Sequence, residues 1–221
     1  MIETPADDSH AKRERRKQAR PGELLDAALD LFVEKGFAAT RVEEVAARAG
    51  VSKGTLFLYY ASKDDLFKAV VHETLAGRFA EWNEEFERFE GSTADMLRYC
   101  LESWWERIGA TPAGGLTKLI TSEAGNFPDL AEDYRQQVIA PGHRLIRRIL
   151  ERGMARGEFR IADLDYAVYS VIAPMIFLQM NLHSHSACTP GTEPIDPLRF
   201  IAQQADVLVH GFMARPAGEA A

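Results

Sequence analysis

Residues 50–60 read GVSKGTLFLYY, and the fold of the chain turns on them. To their left, Thr40-Arg41-Val42-Glu43 fits a capping box, in which a threonine hydroxyl and a glutamate carboxylate satisfy each other's free backbone N–H groups at a helix start. That predicts a helix opening at Arg41. Val42, Val45, Ala46 and Ala49 recur at i, i+3, i+4 and i+7, one face of that helix. Gly50 can take the left-handed conformation that ends a helix, and Ser52 can cap the next one. Two short helices joined by a tight turn, over residues 41–60, form a helix-turn-helix, a motif that lays its second helix in a DNA groove. Ser62-Lys63-Asp64-Asp65 reads as the cap of a further helix.

The second helix, about Lys53 to Tyr60, is too short to be stable alone and must lean on neighbours. Leu56 and Tyr60, four residues apart, form its inward pair. Lys53, Gly54, Thr55, Phe57, Leu58 and Tyr59 then face outward, a mixture that suits a groove better than bulk water. Lys53 can reach phosphate or guanine, Gly54 permits close approach, Thr55 can hydrogen-bond, and Phe57 or Leu58 can pack on thymine methyl groups.

Leu24 to Val71, LLDAALDLFVEKGFAAT followed by RVEEVAARAGVSKGTLFLYYASKDDLFKAVV, resembles the DNA-binding domain of the TetR (tetracycline-repressor-like) family of bacterial transcription regulators. The resemblance implies a first helix and the start of a fourth that buttress the two helices above. It also implies a dimer whose DNA affinity is altered by a small ligand. By position it implies that Lys53, Gly54, Thr55, Phe57 and Tyr59 touch bases or phosphates, and that Thr40 and Lys63 anchor phosphates at helix starts. Arg41, Ser52 and Leu58 complete the expected DNA-contacting set. Relatives commonly carry tyrosine where this chain has Phe57, and often a polar residue where it has Leu58, which shifts the expectation toward apolar readout.

Charge points the same way. The 221 residues carry a formal net charge of −7, yet residues 1–70 hold twelve Lys or Arg against twelve Asp or Glu, so the whole excess lies beyond them. Lys12, Arg13, Arg15, Arg16, Lys17 and Arg20 form a basic run ahead of the first helix, able to neutralise phosphates or simply to solvate the terminus. An acidic second part stays off the phosphates.

Two distant cysteines, Cys100 and Cys188, give no disulfide framework and suit a reducing cytoplasm. No secretory signal is evident. Tyr166 to Leu182 has about the minimum length of a membrane span, but Ser170, Gln179, Asn181 and Pro174 interrupt it, so a buried helix is expected instead.

Beyond Val71 the chain reads as helix throughout. Val71, Leu75, Phe79, Trp82, Phe86 and Phe89 make one apolar stripe on a helix from Lys63 to Phe89. Further helices are expected from Ser92 through Ile108, over Leu116 to Ala124, over Asp129 to Arg156 with a kink at Pro141-Gly142, over Asp163 to His183, and over Pro197 to Met213. Thr121 to Arg160 is similar to a C-terminal domain found in a subset of the same family. This implies a helical ligand-binding and dimerisation domain whose last two helices, Asp163–His183 and Pro197–Met213, form a four-helix interface between subunits. A two-fold dimer presents its recognition helices about 34 Å apart and so expects a palindromic operator of double-stranded DNA.

Trp104, Trp105, Phe127, Tyr134, Tyr169, Met175, Phe177 and Met180 would make an apolar, adaptable pocket if they converge, suited to a hydrophobic or aromatic effector. Adjacent helical positions point about 100° apart, so Trp104 and Trp105 rarely serve one wall. His183, His185 and Cys188 could bind a soft metal, but their place at a helix end entering a Pro- and Gly-containing loop favours plain polar residues. Glu102 and Glu106 share a face and read as solvated charges rather than an acid–base pair. The expectation is therefore an all-α protein with a basic arm (1–19), a helix-turn-helix domain (20–70), a helical regulatory domain (71–214) and a loose tail (215–221). Its expected function is a cytoplasmic, ligand-released, homodimeric repressor without catalytic residues, cofactor, metal or membrane partner. The alternative is a helical ligand-binding protein or enzyme whose N-terminal motif is only structural.

Overall fold

The computed structural model describes residues 8–184 and 194–213, with residues 8–20 as helical backbone only. The chain divides after Val71 into two compact units. The described residues are overwhelmingly helical and contain no strand, only an isolated antiparallel bridge between Phe159 and Met213.

The first unit comprises α1 (Asp8–Lys35), α2 (Val42–Arg48), α3 (Lys53–Phe57) and α4 (Lys63–Val71). The basic run falls in the opening turns of α1, among residues whose side chains lie outside the described set. Gly36, at φ 85°, ends α1. The core forms where three rings meet: Phe32 of α1, Phe37 of the following loop and Phe67 of α4 have centroids 5.3–5.6 Å apart. Leu24, Leu31, Val45, Leu56, Leu66 and Val70 close around them, all at most 2% exposed. The capping box of α2 sits one residue later than expected. Arg41 is the N-cap and donates its backbone N–H to the Glu44 carboxylate at 3.4 Å. Thr40 is drawn into the core instead.

The second unit contains α5 (Arg78–Glu87), α6 (Thr93–Trp104), α7 (Gly115–Glu123), α8 (Pro128–Tyr134), α9 (Ala140–Ala155), α10 (Leu164–His183) and α11 (Pro197–Phe212). The expected single helix from Lys63 to Phe89 is interrupted by a π turn at His72–Ala76 and by Gly77. Likewise the kink expected at Pro141 is a π turn over Arg135–Ile139 just before it. Proline has no N–H for the fourth carbonyl back, and a wider turn accommodates that loss. Ser92, Asp163 and Asp196 cap α6, α10 and α11 with their side-chain oxygens. Trp82 of α5 donates its indole N–H to the buried Ser103 hydroxyl of α6 at 2.8 Å. Among the described residues, no helix is long and apolar enough to cross a membrane.

Truncating Phe67 removes the ring that both Phe32 and Phe37 pack against edge-on. Phe67→Ala is expected to destabilise the first unit by about 3–5 kcal/mol, measured by urea unfolding.

Candidate nucleic-acid interface and ligand cavity

The turn between α2 and α3 is a Schellman motif. The Val51 N–H reaches the Ala46 carbonyl at 2.9 Å and the Gly50 N–H reaches that of Ala47 at 3.1 Å, with Gly50 at φ 68°. Ser52 then starts α3: its hydroxyl oxygen accepts the Thr55 N–H at 3.0 Å and lies 2.9 Å from the Thr55 hydroxyl. Only Leu56 of this helix is fully buried. It is the peg that fixes α3 to the core, with Tyr60 half-buried behind it.

The outward face matches its sequence reading. Ser52, Lys53 and Gly54 are exposed, and Phe57, Leu58 and Tyr59 are 43%, 83% and 38% exposed, a contiguous run of large apolar surface beside a cation. Thr55 is half-buried, and Arg41 lies exposed at the start of α2. Lys53 rests 5.7 Å above the Phe57 ring and pairs with Glu43 of α2 at 2.6 Å. This contact, chiefly the hydrogen bond from Lys53, holds the Glu43 carboxyl below the usual carboxylate range.

Thr40 and Lys63, expected to anchor phosphates, both engage backbone carbonyls of the fold. The Thr40 hydroxyl is buried, shared between the carbonyls of Gly36 at 2.7 Å and Leu31 at 3.1 Å. The Lys63 ammonium donates to the carbonyls of Phe37, Ala38 and Thr40 at 2.7, 3.3 and 3.1 Å and sits 4.4 Å from the Phe37 ring centroid. Its three donors are directed at the loop that delivers the chain to α2. Both residues tie the end of α1 and the start of α4 to the helix-turn-helix.

The second unit holds a cavity of about 230 Å³ lined by α5, α6, α7, α8, α9 and α10. Trp104, Tyr134 and Met175 line it, as expected from sequence, together with Phe79, Trp82, Cys100, His143 and Gln179. Trp105, Phe127, Tyr169, Phe177 and Met180 are not on its wall. Trp105 turns toward Gly109, where an added Cβ would strike its ring. Tyr169 and Phe177 are 57% and 38% exposed on another face of α10. Tyr169 meets His143 edge-on at 5.0 Å from outside the cavity wall.

No Lys, Arg, Asp or Glu lines the cavity. Burial pushes the Cys100 thiol up to about 12 and raises Tyr134. Burial, aided by Arg147, lowers His143. The Tyr134 and Thr117 hydroxyls face each other at 3.2 Å. Of the histidine–cysteine cluster, His185 and Cys188 lie outside the described residues, and among the described residues no group of three or more His, Cys, Asp or Glu side chains could hold a metal ion. Phe79, Trp82 and Cys100 lay on apolar faces visible in the sequence, but periodicity does not separate a wall residue from a filled core.

The chain thus carries a helix-turn-helix with an exposed mixed face and a helical unit with a largely apolar cavity. Residues 24–70 match the family model of bacterial regulatory proteins, tetR family, and residues 90–187 match the tetracyclin repressor-like C-terminal domain. The fatty acid metabolism regulator protein of Bacillus subtilis is 37% identical over 149 residues, covering 65% of this chain and 74% of that protein. The HTH-type transcriptional repressor KstR2 of Rhodococcus jostii is 28% identical over 172 residues, covering 75% and 77%. The structure of FadR from Bacillus subtilis in complex with stearoyl-CoA shares the fold, with a TM-score of 0.63 at 16% identity over 86% of this chain and 97% of that one. The chain belongs to the TetR family and is a DNA-binding transcriptional regulator.

Replacing Lys63 by Met keeps its stem but removes the ammonium from three carbonyls. The variant is expected to lose about 1–3 kcal/mol of stability in chemical denaturation, with a weakening of DNA binding that follows the loss of folded protein.

Proposed function

We propose that this regulator is a homodimeric repressor that leaves a palindromic operator when an apolar effector enters the cavity of its second unit. The observation that carries the reading is the cavity itself, lined without a full charge by aromatic, aliphatic and a few hydroxyl groups. DNA falls to residues 20–70 and effector and partner to 71–214, a boundary one residue ahead of the division after Val71. Relatives named as a fatty acid metabolism regulator and as a repressor support both the sign of control and an apolar ligand. A neighbour in fold in complex with stearoyl-CoA supports a ligand with an apolar chain. Effector and operator then oppose one another by linkage: whatever factor the effector removes from DNA affinity, DNA removes from effector affinity.

In this reading α3 enters the major groove with Lys53, Gly54, Thr55, Phe57, Leu58 and Tyr59 forward, and Arg41 and Ser52 at the flanks. Leu58, the most exposed of the large residues there, packs on thymine methyl groups. Lys53 exchanges Glu43 for a phosphate. Fluorescence anisotropy with the upstream DNA tests this. Leu58→Ala and Tyr59→Ala are each expected to cost about 1–3 kcal/mol of specific binding. Lys53→Ala lowers the log–log salt slope by about 0.9, and Glu43→Gln tightens binding. Unchanged affinity in Leu58→Ala and Tyr59→Ala would move the reading face elsewhere.

Dimerisation uses the outer faces of α10 and α11. Tyr166, Tyr169, Ile176 and Phe177 on α10, with Leu198 and Val207 on α11, are 38–73% exposed. So much large apolar surface on two adjacent helices favours a second copy of the chain as its cover. Phe177→Glu and Val207→Glu are expected to sediment as monomers and to lose binding to a full palindrome, while thermal stability at equal monomer concentration falls only by the lost association.

A further inference from the structure

Gln179 is fully buried, and neither its side-chain nitrogen nor its oxygen has a hydrogen-bond partner. It lies on the cavity wall, one helical turn beyond Met175 on the same face of α10. Space has been left for it. An added Cβ on Gly114 would come within 2.7 Å of the amide oxygen, and one on Gly109 within 2.9 Å of the amide nitrogen. A leucine would fill such a place without desolvating two polar atoms, so packing alone does not account for an amide here.

The other polar groups of the wall are engaged or weakly suited. The Tyr134 and Thr117 hydroxyls pair with each other, and the Thr121 hydroxyl donates to the Thr117 carbonyl at 2.7 Å. His143 already meets the Tyr169 ring edge-on, and burial, with Arg147, lowers its pKa. With no cation on the wall, a carboxylate or phosphate would enter without a counter-charge. The Gln179 amide, in contrast, keeps both a donor and an acceptor unpaired, where the wall meets Gly109 and Gly114.

We propose that Gln179 is the polar anchor of the effector, pairing with one uncharged group that both gives and accepts a hydrogen bond, such as an amide or hydroxyl, on an otherwise apolar ligand. The proposal rests on the reading of the cavity as the effector site. A dry apolar cavity of about 150 Å³ already holds a benzene ring, so about 230 Å³ suits a single ring system or a short chain. The ligand's polar group sits at α10 while its apolar body lies against Trp82, Trp104 and Ile146.

The test uses the full chain and three neutral probes of similar length: octanamide, which donates and accepts, methyl octanoate, which only accepts, and octane, which does neither. Binding is followed by quenching of tryptophan fluorescence, since Trp82 and Trp104 line the cavity, and by the NMR shift of the Gln179 side-chain amide. Octanamide is expected to shift that amide signal, and Gln179→Leu to weaken octanamide about tenfold, which corresponds to about 1.4 kcal/mol. Octane should bind the variant as well as or better than the parent, and the variant should unfold no more easily. If octanamide and octane bind parent and variant alike, the anchor is refuted while the effector cavity stands. If none of the three probes binds the parent, the effector reading fails first, and the anchor with it.

Discussion

A helix of five residues closes too few hydrogen bonds to persist in water, and α3 is such a helix. Everything around it supplies order from outside. Gly50 sets the angle at which the chain enters, Ser52 accepts the otherwise free Thr55 N–H, and Leu56 is driven into a core built by Phe32, Phe37 and Phe67. The remaining side chains are released from packing duty. That release is what leaves Phe57, Leu58 and Tyr59 on the surface, where an isolated soluble domain would gain nothing from them.

The ammonium of Lys63 and the hydroxyl of Thr40 extend the same logic to the loop before α2. Backbone carbonyls in the loop after α1 have no helical partners of their own. The two side chains satisfy them from opposite directions, Thr40 on Leu31 and Gly36, Lys63 on Phe37, Ala38 and Thr40. A polar network of this kind fixes the start of α2, and through the Gly50 turn it fixes α3. The surface pairs Lys35–Glu44 and Arg48–Glu34 cross between α1 and α2 at 3.1 and 3.0 Å, but exposed ion pairs of this sort contribute little.

In the second unit the corresponding constraint is volume. Helices of unequal length, interrupted at His72–Ala76, Trp105–Gly109 and Arg135–Ile139 by π turns, do not fill the space they surround. The space left is mostly apolar, and at its edge Gln179 holds two polar atoms, beside Gly109 and Gly114, without an answering group from the protein. A binding unit with an uncharged interior complements the reading unit, where the useful groups are a cation and exposed rings. Each half keeps the chemistry that the other would find costly.

Local rules made much of this legible in the residues alone. The Gly50 turn, the Ser52 and Ser62 caps, the inward Leu56, the all-α plan and the limits of α10 and α11 depend on spacing, φ preference and short-range hydrogen bonds. Three things depended on contacts far apart in sequence. Thr40 and Lys63 stand at helix starts, and the carbonyls they meet are brought to them only by the fold. Helical periodicity marked the apolar faces of α6 and α10, yet it could not say that Trp104 and Met175 border a void while Trp105 and Phe177 point elsewhere. Gln179 read as a flaw in an apolar helix, since nothing near it in the chain announces two glycines some seventy residues earlier that make room for its amide. The sequence by itself determined the elements and their caps, because those are set within a few residues. The tertiary structure decided which polar atoms are spoken for and which are left open, because partnership is a property of neighbours in space.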